Sequence, residues 1–453
     1  MTKQDLSNRL NELYSSKTSQ FVLVAGKPGS GKTSFLKNWI KDKSAIYLRC
    51  DLQHDRIQLP RFNRALEVQL EKELKESETW EDFFNKLLKG ITKNKRTVIV
   101  LDEFPKLVKS SRTILSVIEE IWPQASSKNS LMLILCGSSM PEMKYVNMRF
   151  FNLTSPASVV TYVPVQPLTF EEFRQSFPQM DLETSVALYG VTGGTERFVE
   201  QLNPTLSTED NLRYFLSHPN FQYLDPKYLF NFDFHDPTTY FSILQVLAHN
   251  EKKIGHIARR LDLKTHNLTS FLDRLRELEL IDRILPPTDE VPEASRKGRY
   301  HIKDAFYRFW FRYNYIFQDV LSIDNINVVI EEFKTYYPEH MKEVIAEILI
   351  EKFQKGVFFP VKYIGPWWDR CKNMDLMVSG SKEMLYVKIN TGPKIAGMDS
   401  LDHLEREVAF VELPKRIKKE TYLILSTNGF APMLQKEAQK NKNLLLWSLP
   451  DIL

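Results

Sequence analysis

Apolar residues along this chain fall into short continuous runs, separated by longer stretches in which they recur every three or four positions. The continuous runs in the first half are residues 21–25, 45–49, 97–101, 131–136 and 159–163. Unbroken apolar runs of this length are what strands buried on both faces require. Between them, residues 34–41, 59–75 and 80–88 repeat at helical spacing, the last two separated by the charged break Glu76-Ser77-Glu78. Leu6, Leu10, Leu13 and Tyr14 predict an opening amphipathic helix that lies on the sheet. Strands alternating with helices predict a parallel α/β sheet. Residues 170–176 read as the helix after the fifth strand. Residues 181–202 read as mostly helix, interrupted by Gly190 and by Gly193-Gly194.

From Tyr240 the pattern changes to short helices. Phe241, Leu244, Val246 and Leu247 make one; Ile254, Ile257, Ala258 and Leu261 a second; Leu268, Phe271, Leu272, Leu275 and Leu278 a third. Residues 281–284 and 299–302 then read as a hairpin around the loop from Pro286-Pro287 to Gly298, the order of a winged helix-turn-helix. The aromatic stretch from Phe306 to Tyr313 reads as a core helix joining this unit to the next. A final small α/β unit is expected from a helix at 339–355, strands at 362–368, 374–378 and 385–389, a helix at 401–411, and strands at 422–426 and 444–447.

Composition narrows the class without naming a partner. The 61 basic and 57 acidic residues nearly cancel, leaving a net charge of +4, so nucleic-acid binding has to rest on a local patch. No apolar run approaches the ~18–20 residues that span a bilayer, and Met1-Thr2-Lys3-Gln4-Asp5 lacks the apolar core of a signal peptide. No membrane association and a cytoplasmic location are therefore expected. Cys50, Cys136 and Cys371 are scattered and odd in number, which predicts buried thiols in place of a disulfide frame or zinc site.

The chemistry concentrates between the first run and the first helix, at Gly26-Lys27-Pro28-Gly29-Ser30-Gly31-Lys32-Thr33. This is the G-x-x-x-x-G-K-[ST] phosphate loop in its strand–loop–helix setting. Backbone N–H groups can wrap triphosphate oxygens only where the loop bends tightly without bulky side chains, which the glycines permit. The helix starting near Lys32 directs its unpaired N–H groups at the phosphates. Lys32 is expected to reach the β and γ oxygens, and Thr33 to ligate Mg²⁺. The third strand ends in Asp102-Glu103, where chemistry is expected in a parallel sheet. Asp102 would hold the metal's water shell with Thr33, and Glu103 would polarise the attacking water. Ser138, in the Gly137-Ser138-Ser139 turn after the fourth strand, would touch the γ-phosphate or that water. Arg197 is a candidate basic contact to the γ-phosphate.

These motifs, with Leu101-Asp102-Glu103-Phe104, Cys136-Gly137-Ser138-Ser139-Met140 and Gly193-Gly194, resemble the archaeal-type P-loop ATPase family, relatives of AAA+ and STAND proteins. The resemblance implies ATP as the nucleotide, a helical lid, a winged helix and a closing restriction-endonuclease-like domain. Two departures stand out. Members commonly have Gly-Arg after the Ser-Ser turn, where this chain has Asn152-Leu153, with Arg149 the nearest arginine. They usually have Pro where Glu196 stands. An active nuclease domain would need an Asp and a Glu-x-Lys, the two carboxylates to hold Mg²⁺ and the lysine to steady the attacking water or the phosphate. Asp375 and Lys388 match, Tyr386 occupies the Glu position, and Glu347 is the candidate to compensate.

The expected organisation is an ATPase core over 1–180, a lid over 181–235, a winged helix over 236–315 and a degenerate nuclease-like domain over 316–453. Between Glu251 and Arg312 fourteen Lys or Arg face ten Asp or Glu, a mild basic bias. The candidate contacts to double-stranded DNA are Lys264, Thr265, His266, Asn267 and Arg274 on the third helix and Arg296, Lys297 and Arg299 on the wing. The expected function is an ATP-binding and ATP-hydrolysing switch that couples nucleotide state to DNA or to a protein partner. The alternatives are a nucleotide-gated DNA-binding regulator without turnover and an ATP-controlled Mg-dependent nuclease.

Overall fold

A computed structural model of the chain describes residues 3–91, 95–138, 140–155, 158–217, 237–249, 252–288, 295, 297–317, 319, 325–369, 372–412 and 416–453. It divides into two compact units, one of residues 1–168 with 195–197, the other of residues 169–194 and 198–453.

The first unit begins with α1 (Lys3–Ser15), β1 (Ser19–Gly26), α2 (Lys32–Trp39), β2 (Ala45–Arg49), α3 (Asp55–Leu70) and α4 (Trp80–Gly90). It continues through β3 (Thr97–Asp102), α5 (Phe104–Ser110), α6 (Ile114–Lys128), β4 (Leu131–Gly137), α7 (Met140–Phe150) and β5 (Ser158–Val165). The five strands form one parallel sheet in the order β2-β3-β4-β1-β5. Every residue of β1, β3 and β4 is buried, so apolar side chains occupy both faces and alternation is lost, as the continuous runs predicted. Phe21, Leu23, Ile99, Leu101, Leu133 and Leu135 share the face covered by α3, α4 and α6. Val22, Val24, Val98, Val100, Met132 and Ile134 share the other, where Leu6, Leu10 and Leu13 of α1 and Leu36 and Trp39 of α2 close the layer. The opening helix therefore lies on the sheet as expected. Arg96 fastens its end by donating to the carbonyls of Leu13, Tyr14 and Thr18.

The second unit carries α8 (Phe170–Ser176), α9 (Leu182–Thr192) and α11 (Thr208–Ser217), the short α10 (Glu196–Val199) spanning the boundary between the units. Helices Pro237–Ala248, Ile254–Arg260 and Thr265–Glu277 follow, then the antiparallel pair β6 (Ile281–Ile284) and β7 (Arg299–Ile302). This is the element order expected of a winged helix. Phe306, Phe309, Trp310, Phe311 and Tyr313 are all buried beside Leu244, Leu247, Leu272 and Phe333, so the aromatic stretch is core. A five-stranded sheet closes the chain: β8 (Tyr363–Asp369), β9 (Lys372–Ser379), β10 (Glu383–Asn390), β11 (Lys419–Ser426) and β12 (Leu444–Ser448), in the order β12-β11-β10-β9-β8. Helices Met398–Val408 and Pro432–Lys440 accompany it.

The main difference from the sequence reading is the helix expected at 339–355, which runs from Ile326 to Gln354 over 29 residues with Pro338 inside it. Proline removes one helical N–H and clashes with the preceding turn, so it is unfavourable inside a helix. The helix persists because Val329, Ile330 and Phe333 before the proline bury as deeply as Val344, Ile345 and Leu349 after it. Cys50 and Cys136 are buried free thiols, and Cys371 lies outside the described residues. Among the described residues no helix is long and apolar enough to cross a membrane.

On that long helix, Glu347 lies 2.6 Å from Arg308 and 3.5 Å from His301. Burial alone would raise its pKa, but the Arg308 and His301 charges and hydrogen bonds overcome this and hold it at about 2, against an ordinary 4.5. A folded-state value below the unfolded one means the pair stabilises the fold fully above about pH 4.5 and loses that contribution as pH falls towards about 2. About a third of the Glu347 side chain remains exposed, so solvent screens the effect. Thermal melts of wild type and Glu347→Gln should therefore differ most near neutral pH and converge below about pH 4.5; a gap that is constant across this range would contradict the account.

Candidate nucleotide site

The C-terminal ends of β1, β3 and β4 bring the predicted groups together. Gly29 and Gly31 adopt φ of +80° and +72°, the left-handed region that lets the loop double back into α2. Lys32, only 5% exposed, donates from Nζ to the carbonyls of Gly26 (2.9 Å) and Lys27 (2.8 Å), and lies 3.2 Å from Ser30 Oγ. Burial pushes its pKa below the ordinary lysine value, opposed among others by the nearby charges of Glu103 and Asp102. The cation is thus held by neutral oxygens, and an anion entering the loop would replace them.

Thr33, on the first turn of α2, donates its hydroxyl to Asp102 Oδ2 at 2.7 Å. Asp102 is 1% exposed at the end of β3, and its Oδ1 accepts the Glu103 N–H at 3.0 Å. A hydroxyl and a carboxylate held this way are the hard oxygen donors that Mg²⁺ takes, with water completing its shell. The donor set therefore fits the ion that the loop implies. Glu103 caps α5 with φ +56°, a left-handed conformation uncommon for a side chain larger than Asn. Its Oε1 accepts from Ser138 Oγ at 3.3 Å, and its Oε2 lies 3.8 Å from Lys106 Nζ. Lys32, Thr33, Asp102, Glu103 and Ser138 therefore form one cluster at the loop. Pro28 completes the turn that begins at Lys27, where Ser30 N–H bonds the Lys27 carbonyl at 3.2 Å. Ser139 lies outside the described residues.

Residues 195–197 return to the loop. The Arg197 N–H donates to Gly29 O at 3.2 Å, and the Thr195 methyl packs against Gly29. The Glu196 carboxylate lies so close to Gly31 that a Cβ there would come within 2.0 Å of it. The sequence marked Glu196 only as a departure from the family pattern. Two consecutive glycines with left-handed φ, Gly193 and Gly194, precede it in the chain. Tyr47 is the second residue the sequence reading missed: its hydroxyl donates to Asp102 Oδ2 at 2.6 Å. Arg149 does not reach this cluster; its guanidinium is held by Glu119 at 2.8 and 2.9 Å.

On the third short helix, Lys264, Thr265, His266 and Asn267 are exposed, whereas Arg274 is half-buried and pairs with Glu277 at 3.0 Å. Lys297 is exposed just before β7. Arg299 is not offered to solvent as a wing contact, because its guanidinium stacks over Trp368 at 4.3 Å. Arg296 lies outside the described residues.

In the closing sheet, Asp375 accepts from Ile389 N–H at 2.8 Å and lies 2.7 Å from Lys342 and 4.0 Å from Lys388. Tyr386 is fully buried and bonds Glu420 at 2.9 Å. Glu347 does not compensate for the missing carboxylate, since Arg308 and His301 engage it. The acid that does approach the charges of Asp375, Lys342 and Lys388 is Glu407, a buried carboxylate. Among the described residues no group of three or more His, Cys, Asp or Glu fits a metal ion.

Comparison with known proteins agrees with this picture. An AAA domain family matches residues 15–142, and a family of archaeal and bacterial proteins of unknown function matches residues 309–390. Uncharacterized protein MJECL04 of Methanocaldococcus jannaschii is 30% identical over 391 residues, covering 84% of each chain. Among solved structures, the Walker-type ATPase PABY2304 of Pyrococcus abyssi superposes with a TM-score of 0.48 at 14% identity, over 68% of this chain and 95% of that one. The Aeropyrum pernix ORC1 protein, solved in complex with DNA, gives a TM-score of 0.35 at 13% identity, over 71% of this chain and 92% of that one. The chain belongs to the archaeal-type P-loop ATPase family, with an AAA-type nucleotide domain and a C-terminal region of unknown function.

The carboxylate beside Gly31 should oppose a triphosphate in the loop. Glu196→Gln keeps the shape and removes the charge, so ATP affinity should rise roughly two- to fivefold, the scale of a screened charge interaction of about 0.5–1 kcal/mol. Equilibrium titration checks this, and unchanged or weaker binding would show that the charge does not face the nucleotide.

Proposed function

We propose that this P-loop ATPase is an ATP-hydrolysing switch whose nucleotide state governs the binding of double-stranded DNA through its winged-helix region. The observation that carries the reading is the cluster of Lys32, Thr33, Asp102 and Glu103 at the ends of adjacent strands, with the 2.7 Å bond from Thr33 to Asp102 at its centre. In this reading the loop from Gly26 to Thr33 wraps the phosphates with backbone N–H groups, and Lys32 exchanges its neutral acceptors for phosphate oxygens. Thr33 and Asp102 would hold Mg²⁺, which supplies neutralisation of phosphate charge when bound. Glu103 accepts a hydrogen bond from the attacking water and takes its proton, while Ser138 orients the Glu103 carboxylate.

The division into core, lid, winged helix and closing α/β domain belongs to the same proposal. Support for a DNA face comes from Arg259 and Arg260 at the end of one helix and Lys264, His266 and Asn267 at the start of the next, all exposed. Cations and amide donors clustered at the start of a recognition helix suit phosphate and base-edge contacts. The closing domain is proposed as a binding module, because Lys342 and Ile389 N–H already engage Asp375. A second reading, a nucleotide-gated regulator with negligible turnover, is favoured by Arg149, the arginine nearest the family's Gly-Arg position, being engaged by Glu119.

Phosphate release from Mg-ATP, measured for wild type and Glu103→Gln with and without duplex DNA, separates the two. The switch predicts turnover that rises with DNA and falls about 100-fold or more in the mutant, the scale of losing a general base, while ATP binding persists. Tight ATP binding with no turnover in either protein would contradict the enzyme and leave the regulator. DNA affinity should weaken with added salt as phosphate contacts release counterions.

A further inference from the structure

We infer that Tyr47 is a positioning residue for the metal end of the nucleotide site, fixing the Asp102 carboxylate in the orientation that receives Mg²⁺. The inference rests on the nucleotide reading above and assigns a role to a residue outside every motif of the family resemblance.

Three O–H or N–H donors converge on Asp102, and the buried Cys136 thiol bonds it as well. Thr33 Oγ1 and Tyr47 Oη both reach Oδ2, at 2.7 and 2.6 Å, and Glu103 N–H reaches Oδ1 at 3.0 Å. The three donors are not equivalent. When Thr33 turns its oxygen lone pairs to a metal, its hold on Asp102 becomes part of the metal's own coordination. The Glu103 N–H fixes only the inner oxygen. The phenol is the donor on Oδ2 that does not itself bind the ion, so it defines where that oxygen sits before and after the ion arrives.

Tyr47 is well held for this purpose. Its strand, β2, is the edge of the sheet and among the described residues pairs with β3 alone, in register from Ala45↔Val98 to Arg49↔Asp102. The open side of an edge strand leaves a backbone N–H and carbonyl without a strand partner. At Tyr47 both are taken by one side chain from α3: Tyr47 N–H donates to Gln69 Oε1 at 2.7 Å, and Gln69 Nε2 donates to Tyr47 O at 3.0 Å. Gln69 Nε2 is in turn tied to Ala65 O at 3.0 Å within its own helix. On the ring, Lys37 Nζ sits 5.0 Å from the centroid, a cation–π contact that links the phenol to α2, the helix that starts at the phosphate loop. A phenylalanine could fill the same space and keep the Lys37 contact. What it could not supply is the 2.6 Å hydrogen bond to the acid.

The test is a Mg²⁺ titration of ATP binding at equilibrium, with wild type and Tyr47→Phe compared in parallel, and ATP affinity in chelator measured for both. Partners that orient a ligating group typically change metal affinity about 10–100-fold when lost. The expected result is a half-saturating Mg²⁺ concentration raised about tenfold or more in Tyr47→Phe, with ATP affinity in chelator within about twofold of wild type. Gln69→Leu, which leaves the phenol intact but frees its backbone, should move the Mg²⁺ midpoint in the same direction by a smaller factor. On an Asp102→Asn background Tyr47→Phe should have no further effect, because the two act through one oxygen. Equal Mg²⁺ midpoints in wild type and Tyr47→Phe, or equal losses with and without the ion, would overturn the positioning role and leave Tyr47 a packing residue. Wild type that binds ATP without any Mg²⁺ dependence, or does not bind it, would instead overturn the nucleotide reading on which the inference stands.

Discussion

A buried ammonium hydrogen-bonded to neutral oxygens organises the first unit. Lys32 is held by two loop carbonyls and a serine hydroxyl, and removing its charge from water depresses its pKa. Such a charge costs free energy unless an anion answers it. The loop can keep it there because β1 is buried along its whole length between β4 and β5, which fixes Gly26 and the turn beyond it against the sheet. The same sheet sets Asp102 and Glu103 opposite, at the end of the neighbour-but-one strand. The start of α2 adds the N–H groups of its first turn and the positive end of its dipole at the same place.

The second unit follows a different principle. Its centre is aromatic, with Phe306 stacked on Phe198 at 3.8 Å and Trp310, Phe311 and Tyr313 filling the space between the three short helices and the long one. Its charges are mostly paired in place: Glu347 with Arg308 and His301, Lys342 with Asp375, Arg299 over Trp368. Within this unit the wing is tied to the closing sheet, because Trp367 donates to Thr288 and Trp368 to the Lys297 carbonyl.

Much of this was legible in the sequence where the signal was local. The phosphate loop needs eight consecutive residues, and the strands that frame it are continuous apolar runs, so both could be read directly. The aromatic stretch was read as core for the same reason, since so much ring surface has to be covered. The signal failed where it depended on register or on distant pairing. Tyr47 meets Asp102 only because β2 pairs with β3 in one particular register, and a one-residue slip would turn it to the other face. Glu196 follows two left-handed glycines, and spacing alone does not direct it to the loop. Glu347 was expected near Asp375, but the helix turns it towards Arg308 and His301, thirty-nine and forty-six positions earlier in the chain. The helix expected from 339 begins at Ile326, because burial on both sides of Pro338 carries it through the proline.

The central claim is that the buried Lys32 ammonium waits for a triphosphate. Calorimetric titration of ATP into wild type and Lys32→Ala, with both proteins checked for the same thermal stability in the absence of ligand, tests it most directly. The account predicts saturable binding by wild type and a loss of about 1.4 kcal/mol or more in the variant, a factor of about ten in affinity. Equal affinity in a folded Lys32→Ala protein, or no binding by wild type, would contradict it.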